Sequence, residues 1–167
     1  MPHSLRIFSA FLIFAEISCR MDLLIKNVTV IAPSSDYHRK AVDLLIRNGV
    51  IEEVGTGIEE AGTDVFDATG GFVSAGWMDI GVQTGDPGFE HREDFQSVTA
   101  AAAAGGYTAI ACQPNTNPPI DSKAEVLYVR TGTRGGLVDC YSVGAISKGC
   151  KGKDITEMID MQRAGAV

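Results

Sequence analysis

From Trp77 onward the chain repeats one pattern, a short apolar run, then a loop, then a segment of helical character. Trp77 to Val82 reads as a buried strand, followed by a helix over Phe95 to Ala104 whose alanine run has high helix propensity and little bulk. Gly105-Gly106 ends that helix as a C-cap. Tyr107 to Cys112 is continuously apolar, as a parallel strand covered on both faces would be, and a helix capped by Asp121 or Ser122 follows it to about Thr131. Leu137 to Ala145 reads as a third strand, and Asp154 with Glu157 as a capping pair opening a helix over Ile155 to Ala164. Successive β–loop–α units dictate a parallel sheet with right-handed crossovers.

Such units begin either a doubly wound sheet or a (β/α)8 barrel, and a barrel takes about 250 residues. Residues 77–167 fall well short of that, and Gly165-Ala166-Val167 stops where a fourth strand would start. The expectation is an incomplete domain with open strand edges and exposed apolar faces, and hence poor solubility.

Residues 21–76 have a different texture. Leu23, Ile25, Asn27 and Thr29 alternate with Leu24, Lys26, Val28 and Val30, the two-residue period of a strand. Val42 to Gly55 gives two more strands joined at Asn48-Gly49, a dipeptide suited to a type I′ hairpin because both residues tolerate positive φ. Asp64 to Ala68 and Phe72 to Ser74 add short strand-like pieces. The spacing predicts a small sheet or half-sandwich, a structural module with nothing reactive in it.

Residues 1–20 stand apart as an N-terminal extension, with Arg6 ahead of an apolar run from Ile7 to Ala15. The run has signal-core length but no small-x-small cleavage pattern, and it is shorter than the ~20 residues of a membrane span. A secretion signal, a packed helix and a non-native extension before a start at Met21 all remain open. The last fits best, because Met21 opens the first alternating strand.

Charge and cysteine content exclude several functions. The net charge is −7 with no basic run, which argues against nucleic acid as a partner. Cys19, Cys112, Cys140 and Cys150 lie far apart without a CxxC pair, so reduced cytosolic thiols are expected rather than disulfides or a cysteine zinc site. No membrane partner is expected, and the localisation expected is cytoplasmic.

In parallel α/β folds the loops after strand C-termini carry the chemistry. Three qualify here: Gln83 to His91, Gln113 to Ile120, and Ser147 to Lys153. The first holds Asp86-Pro87-Gly88 and then Glu90, His91, Arg92, Glu93 and Asp94, which read equally as a turn and a solvated helix start favoured by the helix dipole. The second, stiffened by Pro114, Pro118 and Pro119, presents Asn115 either as a fixed two-way hydrogen-bonding group or as a turn support. The third carries Lys148, Lys151 and Lys153 among glycines, an anion cradle or simply solvated lysines.

A metal site cannot be assembled from these parts. His3, His38 and His91 are scattered, while Asp79, Asp86, Glu90 and Asp139 supply only oxygen. Cys112, inside a strand, reads as a packed small hydrophobe rather than a nucleophile.

Gly76-Trp77-Met78-Asp79, Asp86-Pro87-Gly88, Glu90, Glu93-Asp94, Ala101 to Gly106 and above all Pro114-Asn115-Thr116-Asn117-Pro118 resemble dihydroorotases of the amidohydrolase superfamily. The similarity runs over about residues 21–167, and the PNTNP loop with the AAAAGG helix end favours this family over hydantoinases and allantoinases. It implies that residues 77–167 are the first three units of a (β/α)8 barrel, preceded by a small β-sandwich-like module. It also implies zinc-dependent interconversion of dihydroorotate and carbamoyl aspartate in pyrimidine biosynthesis, the metal polarising the amide and activating water.

Family members carry D-x-H-x-H-x-R at the end of the first barrel strand, two histidines for zinc and an arginine for the substrate carboxylate. Here those positions are Asp79, Gly81, Gln83 and Gly85. Glycine has no side chain, an amide is a poor zinc ligand, and Gly85 lacks the guanidinium fork. Asn115, at the position of the family's carboxylate-binding asparagine, is the one substrate-binding residue the resemblance leaves, and Asp79 keeps a supporting or strand-end role.

The reading is a dihydroorotase-type hydrolase frame that is inactive in this chain, with no cofactor of its own although active relatives use zinc. The alternative is a non-catalytic homologue with an assembly role. Its expected partners are a dihydroorotate-like small molecule, a second copy of itself, an active dihydroorotase or aspartate transcarbamoylase.

Overall fold

The computed structural model describes residues 22–167. The extension at residues 1–20, with His3 and Cys19, lies outside the described residues. The chain divides into two units between Gly76 and Trp77.

The first unit is one sheet built on β1 (Leu23–Ile31). β1 pairs antiparallel with β2 (Ala41–Arg47), which pairs antiparallel with β3 (Val50–Gly55). On its other edge β1 pairs in parallel with β4 (Asp64–Asp67) and further along with β5 (Phe72–Ser74). The β2–β3 hairpin turns at Asn48 and Gly49 with φ of 52° and 76°, as the dipeptide predicts.

The alternation of β1 is broken at a point its residue pattern does not reveal. The register shifts between Ile25 and Val28, and Asn27 takes φ 58°. Buried Asp43 of β2 accepts from the Asn27 amide at 2.9 Å and from the Ile58 amide at 3.1 Å, anchoring this bulge. Val28, Val30, Val42, Leu44 and Val73 form one core cluster, and Leu24, Leu45 and Ile58 a second.

The second unit is a parallel sheet in the order β6 (Trp77–Val82), β7 (Tyr107–Cys112), β8 (Asp139–Ser142). The crossovers are α1 (Phe95–Ala104) and α2 (Lys123–Gly132), and α3 (Met158–Ala164) follows β8. Ala166 pairs in parallel with Ser142, which places the residues after α3 beside β8. Phe95, Ile120, Val126, Val129 and Met161 form one cluster, and Val98, Ile110, Cys112 and Val138 another. Among the described residues no helix is long and apolar enough to cross a membrane.

Three expectations need correction. β6 is not a buried strand: Trp77 is 67% and Ile80 72% exposed, because among the described residues β6 is an edge that pairs with β7 alone. The third strand is shorter than Leu137 to Ala145, since Ala145 donates its amide to the Ile120 carbonyl (2.8 Å) and so leaves the ladder. The last helix starts at Met158, without a side-chain cap. Buried Thr156 donates its hydroxyl to the Ala145 carbonyl (2.8 Å), and Ile155 bridges to Ser147, so the backbone before α3 is held extended.

Candidate functional site

The C-terminal end of β6 is irregular. The β6–β7 register slips between Asp79 and Val82, which takes the backbone groups around Ile80 and Gly81 out of the ladder. Side chains make up the loss: Asp79 Oδ1 accepts from the Gly81 amide (2.9 Å), and Gln113 Nε2 donates to the Ile80 carbonyl (2.9 Å). The Gln113 amide also donates to the Val82 carbonyl at 2.8 Å, so Gln113 clasps the strand end twice. Asp79 therefore has a strand-end role.

Beyond β6 the chain winds tightly. Thr84 is buried, its hydroxyl on the Asp86 carbonyl at 3.0 Å. Gly85 has φ +72°, and a Cβ there would meet the Glu93 carbonyl oxygen at 2.6 Å and that of Phe89 at 2.9 Å. Asp86 is 8% exposed and accepts from the Tyr128 hydroxyl of α2 at 2.9 Å. Gly88 lies directly on the second loop, where a Cβ would sit 1.9 Å from the Asn117 carbonyl oxygen. The Asn117 amide donates to the Pro87 carbonyl (2.9 Å), and Thr116 Oγ1 to the Pro118 carbonyl (2.7 Å). The Asp86–Pro87 and Asn117–Pro118 peptide bonds are both cis. The PNTNP loop thus supports the first loop through Asn117, which leaves Asn115 at the surface.

The two loops enclose a small open pocket of about 120 Å³ lined by Gln83, Gly85, Phe89, Arg92, Glu93 and Asn115. Of the residues singled out from the sequence, Gln83, Gly85 and Asn115 meet here, whereas Asp79 and Gly81 lie outside the lining. Phe89 was not singled out, and Arg92 and Glu93 were named only as part of a turn and solvated helix start. Their position between the Asp-Pro-Gly turn and the helix cap was the available signal.

Acidic side chains near the pocket are engaged locally. Glu90 accepts from the Gly88 amide (2.7 Å), a bond that holds its carboxyl below the ordinary glutamate range. Asp94 caps α1 by accepting from the Ser97 amide (2.7 Å), which lowers its carboxyl likewise. Glu93 accepts from the Ser97 hydroxyl. The Arg92 guanidinium lies 5.0 Å above the Phe89 ring centroid, and His91 meets the same ring edge-on at 6.5 Å.

The third loop does not join this pocket. Its Gly149 amide donates to Asp121 Oδ2 at 2.6 Å, so the anion that this turn binds is a carboxylate of its own chain. Ser122, not Asp121, caps α2 by accepting from the Ala124 amide at 3.2 Å. Cys112 is buried, and its hydrogen bond with Cys140 together with burial pushes its thiol up, the opposite of an activated nucleophile.

Zinc does not fit the donors at the strand end. Gly81 offers no side chain, Gln83 offers a neutral amide, and Asp79 is held by the Gly81 amide. Among the described residues no three His, Cys, Asp or Glu side chains come together in a way that would hold a metal ion.

Residues 70–167 match the family described as Dihydro-orotase-like. The dihydroorotase of Ruminiclostridium cellulolyticum is 44% identical over 148 residues, covering 88% of this chain and 34% of the relative. That of Geobacter sulfurreducens is 44% identical over 149 residues, covering 88% and 35%. The chain therefore spans about a third of the length of the curated relatives it matches. In fold it resembles the L-hydantoinase (dihydropyrimidinase) of Arthrobacter aurescens, with a TM-score of 0.72 at 24% identity over 87% of this chain and 32% of that one.

Proposed function

The chain belongs to the dihydroorotase-like family of amidohydrolases, and from that premise we propose that it is a non-catalytic member, a dihydroorotase frame without its metal chemistry. The observation that carries this reading is the end of β6. By the motif resemblance, Gly81 and Gln83 take the positions of the family's two metal-binding histidines, and in support the backbone there is closed on itself by Asp79 and Gln113. A zinc ion bound by the first barrel strand would need imidazole or carboxylate donors at these positions.

What remains is a pocket for a small polar molecule. Asn115 lines it with a carboxamide that makes no hydrogen bond among the described residues, so it is free to donate and to accept. This supports Asn115 as a substrate-type contact, the ligand being dihydroorotate-like.

A frame kept while its metal donors are lost suits an assembly role beside an active dihydroorotase or aspartate transcarbamoylase in the cytoplasm, or in a homo-oligomer. Two measurements on the expressed gene product test the proposal, zinc content and dihydroorotate hydrolysis. The expected result is neither stoichiometric zinc nor turnover, with a carbamoyltransferase or dihydroorotase co-purifying. Turnover together with about one bound zinc per chain overturns it.

A further inference from the structure

The charged groups of the stretch 86–94 are unevenly satisfied. Asp86 takes the Tyr128 hydroxyl, Glu90 the Gly88 amide, Glu93 the Ser97 hydroxyl and Asp94 the Ser97 amide. Each carboxylate thus has a donor. Arg92 is the cation of this stretch, and among the described residues its guanidinium forms no ion pair. Its side chain lies over the Phe89 ring.

That contact has a consequence for binding. This contact with the ring pairs the guanidinium with no carboxylate and so leaves its N–H donors uncommitted to an ion pair. It also restrains a long side chain that would otherwise lose rotamer freedom when it gripped a ligand. Phe89 and Arg92 both line the pocket that holds the carboxamides of Gln83 and Asn115. Gly85, between them in the wall, cannot contribute a side chain, because a Cβ there meets two carbonyl oxygens within 3 Å.

We propose that Arg92 is the anion-binding residue of this pocket, and that the pocket takes a small carboxylate flanked by a polar group that the Gln83 and Asn115 amides read. The inference rests on the reading of the chain as a metal-free frame that retains a small-molecule pocket. The planar fork suits a carboxylate or a phosphate. Glu93 in the same lining selects between them, since its charge opposes a dianion more strongly than a monoanion. A cavity of about 120 Å³ has room for a small carboxylate.

The test is a titration of the ¹⁵N-labelled chain with N-acetylglycine at constant ionic strength, in the presence of a chelator. Saturable shifts are expected at the Arg92 Nε–H and at the Asn115 side-chain amide. Arg92→Gln should weaken binding roughly tenfold or more, and Arg92→Lys, which keeps the charge and loses the fork, should weaken it by less. Inorganic phosphate should bind more weakly than N-acetylglycine. Affinity unchanged in Arg92→Gln, absence of saturable shifts, or tighter binding of phosphate would each overturn the proposal. Zinc content, measured separately, is unaffected by that outcome, so failure of the anion site and failure of the metal-free reading are told apart.

Discussion

Gly85 and Glu93 approach so closely that a methyl group on Gly85 would sit 2.6 Å from the Glu93 carbonyl oxygen, at a backbone φ of +72°. The neighbouring site at Gly81 is open by comparison, with Asp79 Oδ1 at 3.6 Å as its nearest neighbour and no positive φ. An arginine therefore does not fit at position 85 on this backbone, while a histidine fits at 81. Gly85→Arg should lose about 2–4 kcal/mol from the left-handed φ and the clash together. Gly81→His should stay within about 1 kcal/mol of the parent. Urea denaturation of both variants decides it, and equal stabilities would contradict the tight-loop geometry.

The Tyr128 hydroxyl ties α2 to the buried Asp86 carboxylate at 2.9 Å. Tyr128→Phe should cost about 1–2 kcal/mol, because a buried carboxylate then loses a donor. The same bond, with burial, raises the Tyr128 phenol above its usual range. A raised folded value means that the stabilisation is fully present below the ordinary phenol pKa of about 10 and fades as pH climbs through the raised value. Ultraviolet titration should show one tyrosine ionising after the others, and Tyr128→Phe should remove that late phase.

In the first unit Asp43 should dominate the acid limb. Burial pushes its carboxyl up, but amide donors from Asn27, Ile58 and Gly57 outweigh that and hold it below the ordinary range. A depressed carboxyl stabilises fully above its unfolded pKa of about 3.9, and the contribution disappears as pH falls through the lower folded value. Asp43→Asn should cost about 1–3 kcal/mol at neutral pH and flatten the loss of stability below pH ~4. Chemical denaturation at neutral and acid pH measures both.

Much of this was legible before any coordinates. Local signals carried the strands of the first module, the Asn48-Gly49 turn, and helix α1 from Phe95 to Ala104, since propensity and turn chemistry act over a few residues. The β1 bulge was not legible, because it depends on Asp43 sixteen residues away in the chain. Nor was the late start of α3. Asp154 and Glu157 read as a capping pair, yet Thr156 is drawn to the Ala145 carbonyl instead. At the site, Gln83, Gly85 and Asn115 were found by motif, and the pocket brings them together. Arg92 was read with its neighbours as a solvated helix start, because its position over the Phe89 ring is a spatial fact within a run of charges.

Zinc stoichiometry is the most direct measurement of the central claim. The chain, equilibrated with zinc at neutral pH and freed of excess metal, should carry far less than about one zinc per chain, since neither Gly81 nor Gln83 supplies an imidazole. About one tightly held zinc per chain, lost on Gln83→Ala, would contradict the account.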